Sequence, residues 1–284
     1  MVSGIFTRPR ARPPLAAVSS QQNMLAVSTE DELLAALTSL PRSDGACYGR
    51  AINIIADITL TRTVELLRQH SGLLITSSSN ARLSTKTAFS PAFFVRQNAS
   101  GVTIDGLSTT SAFLSAVVVQ AFANSGLSIL NISVNSAPSA ITVASLGTVA
   151  SALIDGCVAD TASGTNASIV SIAAGSTTGV VIRGNRNFRG AISAQSASSC
   201  IITMNSALGA ITASPSFNSN IISFNTMVGA ITVGSTSGNN AITGNAMNGN
   251  NITTSTGTGG NSIVGNTNVG TITNASTDAV TSNT

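Results

Sequence analysis

Three short stretches of the chain hold an ionisable side chain in one and the same frame. "VTIDG" and "ALIDG" place Asp105 and Asp155 between an Ile and a Gly, and "VVIRGN" puts Arg183 there. Two carboxylates facing one bond can divide the work of general acid and general base, and a nearby cation can steady developing negative charge. Against that reading, "IDG" is also an ordinary strand exit into a turn, and Asp155 beside Arg183 is also an ordinary surface ion pair. Other chemistry is thin. His70 is the single histidine, and Cys47, Cys157 and Cys200 have neither metal-ligand spacing nor an even count. The cysteines read as small buried apolar residues, and neither a metal nor a cofactor is expected.

What must position these side chains is a repeat. "LLIT", "VTIDG", "LSILN", "ALIDG", "VVIRGN", "IITMN", "IISFN", "AITGN" and "SIVGN" centre on Ile75, Ile104, Ile129, Ile154, Ile182, Ile202, Ile222, Ile242 and Ile263. The intervals are 29, 25, 25, 28, 20, 20, 20 and 21 residues, which is the signature of a solenoid. They are too short for a propeller blade and lack the Leu framework of leucine-rich repeats. A coil of two or three short strands, each paired in parallel with its copy in the next coil, satisfies the pattern. The fold class is therefore all-β, a parallel β-helix. Nine coils rise roughly 43 Å at about 4.8 Å per coil. Asp105 and Asp155 then point outward two coils apart, about 9.6 Å, with Leu130 between them. That separation is close to the roughly 6.5–9.5 Å of an inverting glycosidase pair.

Stacking also explains the composition. Only 8% of the 284 residues are charged and 4% aromatic, with no Trp and one Tyr. A charge repeated in every coil would face its own copy, whereas Thr, Ser and Asn stack without repulsion. Asn185, Asn205, Asn225, Asn245 and Asn266 fall at equivalent places, which predicts a ladder of stacked side-chain amides. Gly209, Gly229, Gly249 and Gly270 are expected to supply backbone freedom at the bend that follows.

Charge is graded along the chain. Residues 1–100 hold ten of the thirteen basic residues, and Gly190 to Thr277 hold no charge. Residues 1–24 read as an extended basic arm, with Arg8, Arg10 and Arg12 as anchoring residues that order on a partner. Residues 25–50 read as a capping helix and lead-in, with Thr29 as N-cap, Glu32 at the capping-box position and Leu33, Leu34 and Leu37 on one face. Residues 51–284 form the β-helix. The pI near 9.1 invites a nucleic-acid reading. Three arginines among prolines, with no aromatic interleaving, favour a protein partner instead, so no nucleic acid is expected. No apolar run approaches a spanning helix, so no membrane insertion is expected, and the start does not read as a secretion signal. After the last coil, "NASTDAVTSNT" is expected either to fold over the open end or to meet other copies there.

The helix "DELLAAL", the strands of "INIIADITLTRTVEL", the turn into "GLLITSSSNARLS" and the "VTIDG" and "ALIDG" coils together resemble the pectate-lyase-like right-handed β-helix superfamily. Within it, the chain is similar to spike proteins of tailed phages. The resemblance covers residues 28–284. It implies a right-handed β-helix and a homotrimeric virion protein. Residues 1–24 would dock on capsid or tail proteins, and a host-surface glycan is a possible contact. The protein would be made in the host cytoplasm and released by lysis. Lyases and hydrolases of this fold use outward carboxylates with a basic residue, so Asp105, Asp155 and Arg183 are the candidate catalytic set. No Trp or Tyr platform for a sugar accompanies them. The expectation is a non-enzymatic spike, either tailspike or capsid decoration. A polysaccharide-degrading enzyme and a free adhesin or ice-binding-like protein are the alternatives.

Overall fold

The structure is a computed structural model that describes residues 24–40, 47–135, 140–160, 167–173, 177–234, 236–255, 259–274 and 277–284. Each strand pairs in parallel with its counterpart one coil on, giving a right-handed parallel β-helix. Three strips of sheet run along it. In one coil, Leu74–Thr76 lies in the first strip, Arg82–Thr85 in the second and Phe93–Val95 in the third, and Thr103–Asp105 returns to the first.

The repeating Ile marks the first strip. From Ile75 to Ile263 all nine are direct register partners from coil to coil, and all are buried. The column continues past the expected landmarks, with Leu25 and Ile52 before it and Val280 after it. Because side chains alternate along a strand, the residues on either side of each Ile face outward.

At the N-terminal end the first strand of that strip is Met24–Val27, so the sheet begins ahead of the helix rather than at residue 51. Helix α1, Glu30–Ser39, covers the first coil with Leu33, Ala36 and Leu37. Its cap is Thr29, whose Oγ1 accepts from the Glu32 N–H at 3.2 Å. The Glu32 carboxylate reaches one residue further back than a capping box requires, accepting from the Ser28 N–H at 2.6 Å and Ser28 Oγ at 2.8 Å. The Ser28 backbone bond, followed by the hydroxyl bond, draws the Glu32 carboxyl below its ordinary value. Glu30 ties α1 to the coil by accepting from Thr61 N–H at 2.9 Å and Thr61 Oγ1 at 2.8 Å. Buried His70 completes the clasp: Nδ1 accepts from the Leu67 N–H at 2.9 Å, and Nε2 meets the Leu37 carbonyl at 3.1 Å. The ring thereby ties its own turn to the end of α1. The basic arm with Arg8, Arg10 and Arg12 lies outside the described residues.

Two corner columns flank the first strip. Three residues after the repeating position stand Leu107, Ile132 and Cys157, followed by Asn185, Asn205, Asn225, Asn245, Asn266 and Asn283. Two residues before it, Val180 and Cys200 give way to Asn220, Asn240, Asn261 and Asp278. The change from apolar to Asn falls where the coils shorten to twenty residues. A narrow coil leaves little room for Leu at its corners and turns too sharply for every N–H to find a carbonyl, and an Asn side chain answers both needs. Asn225 Oδ1 accepts from the Asn205 N–H at 3.1 Å and Asn205 Nδ2 at 2.9 Å, while Asn205 Nδ2 also donates to the Ile182 carbonyl at 3.1 Å. The same bonds recur through Asn245 and Asn266 to Asn283. Cys157 and Cys200 sit at the two junctions, their N–H groups donating to Asn185 at 2.9 Å and Asn220 at 2.8 Å.

The column through Asn220 ends at Asp278, whose Oδ1 accepts from Asn261 N–H at 2.9 Å and Nδ2 at 3.0 Å. A carboxylate has no proton to pass on, so Asp278 terminates this ladder. The last residues add a further rung, Ala279–Thr281 against Ser262–Val264, instead of folding over the end. The bend glycines also differ from expectation. Of the four, Gly249 takes a left-handed backbone (φ +80°). Gly209, Gly229 and Gly270 are needed for closeness, since a Cβ there would collide with Arg189 O, Ala210 N and Gly249 O of the neighbouring coil.

Candidate functional site

The column directly after the repeating Ile runs Thr76, Asp105, Leu130, Asp155, Arg183, Thr203, each the register partner of the next. Asp105 and Asp155 are both half-buried and lie two coils apart across Leu130. Arg183 Nε donates to Asp155 Oδ2 at 2.8 Å, whereas Asp105 Oδ1 accepts from Asn131 Nδ2 at 2.9 Å. Each carboxylate thus has its own partner. From Asp105 to Arg183 the residue that follows is left-handed, through Gly106, Asn131, Gly156 and Gly184. Gly184 is required for space as well, because a Cβ there would stand 2.8 Å from Asp155 Oδ1.

Chemically this is a charge pair beside an isolated, hydrogen-bonded carboxylate. The adjoining hollow of about 250 Å³ is lined by Ser128, Leu153, Val181 and Arg183 among others, and Arg183 is the charged residue of that lining. Among the described residues no group of three His, Cys, Asp or Glu could hold a metal ion. The thiols are not poised as nucleophiles. Burial pushes Cys157 up to about 12, and also raises Cys47 and Cys200.

A polar hollow that sequence reasoning missed lies over the second strip, about 500 Å³ and lined by Asp57, Asn80, Arg82, Ser133 and Asn135 among others. Asp57 Oδ1 accepts from the Arg82 N–H at 2.9 Å, and Ile58 pairs with Leu83 beside them. One carboxylate and one guanidinium among amides and hydroxyls offer hydrogen bonds rather than a pair of carboxyl groups for acid–base work. On the third strip a column of hydroxyls runs in register through Ser145, Ser171, Ser193, Thr212, Thr232, Thr253 and Thr273.

No family model matches the chain, and no curated protein matches it. Among solved structures it is similar to the crystal structure of the Dettilon tailspike protein (gp208), with a TM-score of 0.53 and 13% sequence identity. The likeness covers 93% of this chain and 67% of that one. What the two share is the fold, a right-handed parallel β-helix.

Proposed function

We propose that the chain is a non-enzymatic structural protein of a tailed-phage particle, a trimeric β-helix spike. Its N-terminal arm holds it to capsid or tail proteins, and its uncharged coils project outward as a tailspike or capsid decoration. The observation that carries this reading is the fold likeness to a tailspike across 93% of the chain. The mechanism is mechanical and adhesive. In-register Ile columns and amide ladders make each coil a template for the next, which stiffens the rod. The hydroxyl column offers neutral hydrogen bonds to a host-surface glycan. No described helix is long and apolar enough to cross a membrane.

A polysaccharide-degrading enzyme is the second reading, favoured by the Asp155–Arg183 pair at the edge of a hollow. The third, a free adhesin or ice-binding-like protein, is favoured by the hydroxyl column. The test is to incubate the full chain with capsular and lipopolysaccharide glycans, measuring both retention and released oligosaccharide. Binding without release supports the spike. Release that Asp155→Asn abolishes while the fold is kept establishes the enzyme.

A further inference from the structure

Two adjoining hollows lie over the second strip and meet at Arg82 and Asn135, which line both. Ile58 pairs with Leu83, which puts Asp57 beside Arg82, and Arg82, Ser108 and Ser133 are register partners in successive coils. Three steps of about 4.8 Å make the resulting groove about 14 Å long. The fold leaves its polar groups uncommitted. Among the described residues the ion pairs are Glu65–Arg96 and Asp155–Arg183, and Arg82 belongs to neither. Its backbone N–H, and not its guanidinium, meets Asp57 Oδ1 at 2.9 Å. Thr110 Oγ1 accepts from the Ala112 N–H at 3.2 Å, which leaves its own proton to donate. Asn135 gives its backbone N–H to Thr109 Oγ1 at 3.1 Å and keeps its side-chain amide for another partner. An exposed arginine without a counter-charge is ordinary by itself, but this one is the shared wall of two concavities. The two differ in charge. The larger, about 500 Å³, has Asp57 in its wall, whereas the smaller, about 370 Å³, is lined by Arg82, Thr109, Thr110, Ser111 and Asn135 and holds no acid. Asp160, which follows the partner of Val134 one coil on, lines neither.

We propose that this groove binds a saccharide unit bearing one oxyanion, a carboxylate or a phosphate, with the anion on Arg82 in the smaller hollow and the sugar hydroxyls in the larger one against Asp57. The planar fork of an arginine offers two parallel N–H donors, which match the oxygens of either anion. Thr110, Ser111 and Asn135 add neutral donors around them. The other wall sets the opposite demand. A carboxylate such as Asp57 can only accept, so it repels a second anion and favours a hydroxyl donor. A neutral ligand leaves the guanidinium without a counter-charge, and a ligand anionic at both ends meets Asp57. One anionic group beside hydroxyls satisfies both walls. The hydroxyl column of the third strip has no such charges and reads hydroxyls alone. The inference rests on the spike reading for the source of the ligand, a host-surface glycan, and adds to it a site and a charge class.

Isothermal titration calorimetry of the full chain tests it with four probes: an oligoglucuronate, the same oligomer with its carboxyls reduced to alcohols, a phosphomannan fragment and inorganic phosphate. At least one of the two acidic saccharides binds, and the tighter of them names the anion. The reduced oligomer binds at least about tenfold more weakly than that saccharide. Arg82→Gln keeps the backbone N–H that meets Asp57, and with it the wild-type circular dichroism, yet weakens binding at least about tenfold. Arg183→Gln, on the first strip, leaves binding unchanged. A reduced oligomer held as tightly as the acidic saccharides, or an acidic saccharide held as tightly by Arg82→Gln, overturns the site. Inorganic phosphate bound as tightly as the saccharides overturns the role given to the sugar hydroxyls. Binding of neither acidic saccharide overturns this groove alone and leaves the place of the spike in the particle, which microscopy tests, standing.

Discussion

Arg183 stands one coil beyond Asp155 as its register partner and donates from Nε to Oδ2 at 2.8 Å. The side chains are 52% and 29% exposed, so water screens the pair. Asp155→Asn is expected to change unfolding free energy by less than about 1 kcal/mol in urea titrations. A loss of several kcal/mol would show that the pair is an organising feature of the fold.

Inside the amide ladder a charge has no place. Asn225 Nδ2 donates to Asn245 Oδ1 at 3.0 Å and to the Ile202 carbonyl at 2.9 Å, so Asn225→Asp sets a carboxylate against two acceptors. The expected loss at neutral pH is roughly 3–5 kcal/mol. Burial raises the new carboxyl, so its neutral form is the one that fits. Stability therefore recovers as pH falls and is lost as pH rises through the raised value. Asp278→Asn, at the ladder's end, keeps an amide oxygen for the two Asn261 donors and loses the Thr254 Oγ1 bond to the second carboxylate oxygen, and so costs about 1 kcal/mol. Equal effects at the two sites would refute the ladder's directionality.

The cysteines give a prediction at alkaline pH. Cys157 titrates near 12 when folded and near 9 when free. Below about 9 both states keep the proton and stability is unaffected, while between 9 and 12 the unfolded chain loses it first and stability falls. Cys157→Val, matching Val102 and Val180 of the other corner column, should flatten that decline. A thiol reagent should modify none of the three cysteines in the native protein and all three in denaturant; rapid native labelling of Cys157 would contradict its burial.

At the helix, Thr29→Ala is expected to cost about 1 kcal/mol through loss of the N-cap bond. Glu32, held below its ordinary 4.5 by Ser28, stabilises the cap fully above that value and ceases to do so as pH falls through the lowered one. Hydrogen exchange of α1 amides should accelerate over that acid range in the wild type. No such acceleration in Glu32→Gln is expected, and its persistence there would assign the effect to another group.

Much of the fold was legible because a solenoid writes its period into the sequence. The nine Ile landmarks needed no tertiary knowledge, since stacking makes each coil its neighbour's environment. The ladder through Asn220, Asn240 and Asn261 was equally visible in "SNII", "NNAI" and "GNSI", but reading only the residues after the Ile hid it. Met204 and Phe224, with φ of +56° and +55°, were beyond sequence reasoning: nothing in "IITMN" or "IISFN" says that the fourth residue must turn left-handed. Gly209 and Gly270 were misread for a related reason, because the closeness of stacked backbones is a property of two coils and not of one. The candidate catalytic set was legible as a column, while the separate partnering of Asp105 by Asn131 was not.

Cryo-electron microscopy of a phage particle containing this chain is the most direct test of the proposed spike role. A spike gives elongated density for the β-helix projecting from the particle, with residues 1–24 and their Arg8, Arg10 and Arg12 seated between capsid or tail proteins. Particles without such density, with the chain recovered free in the lysate, would contradict it.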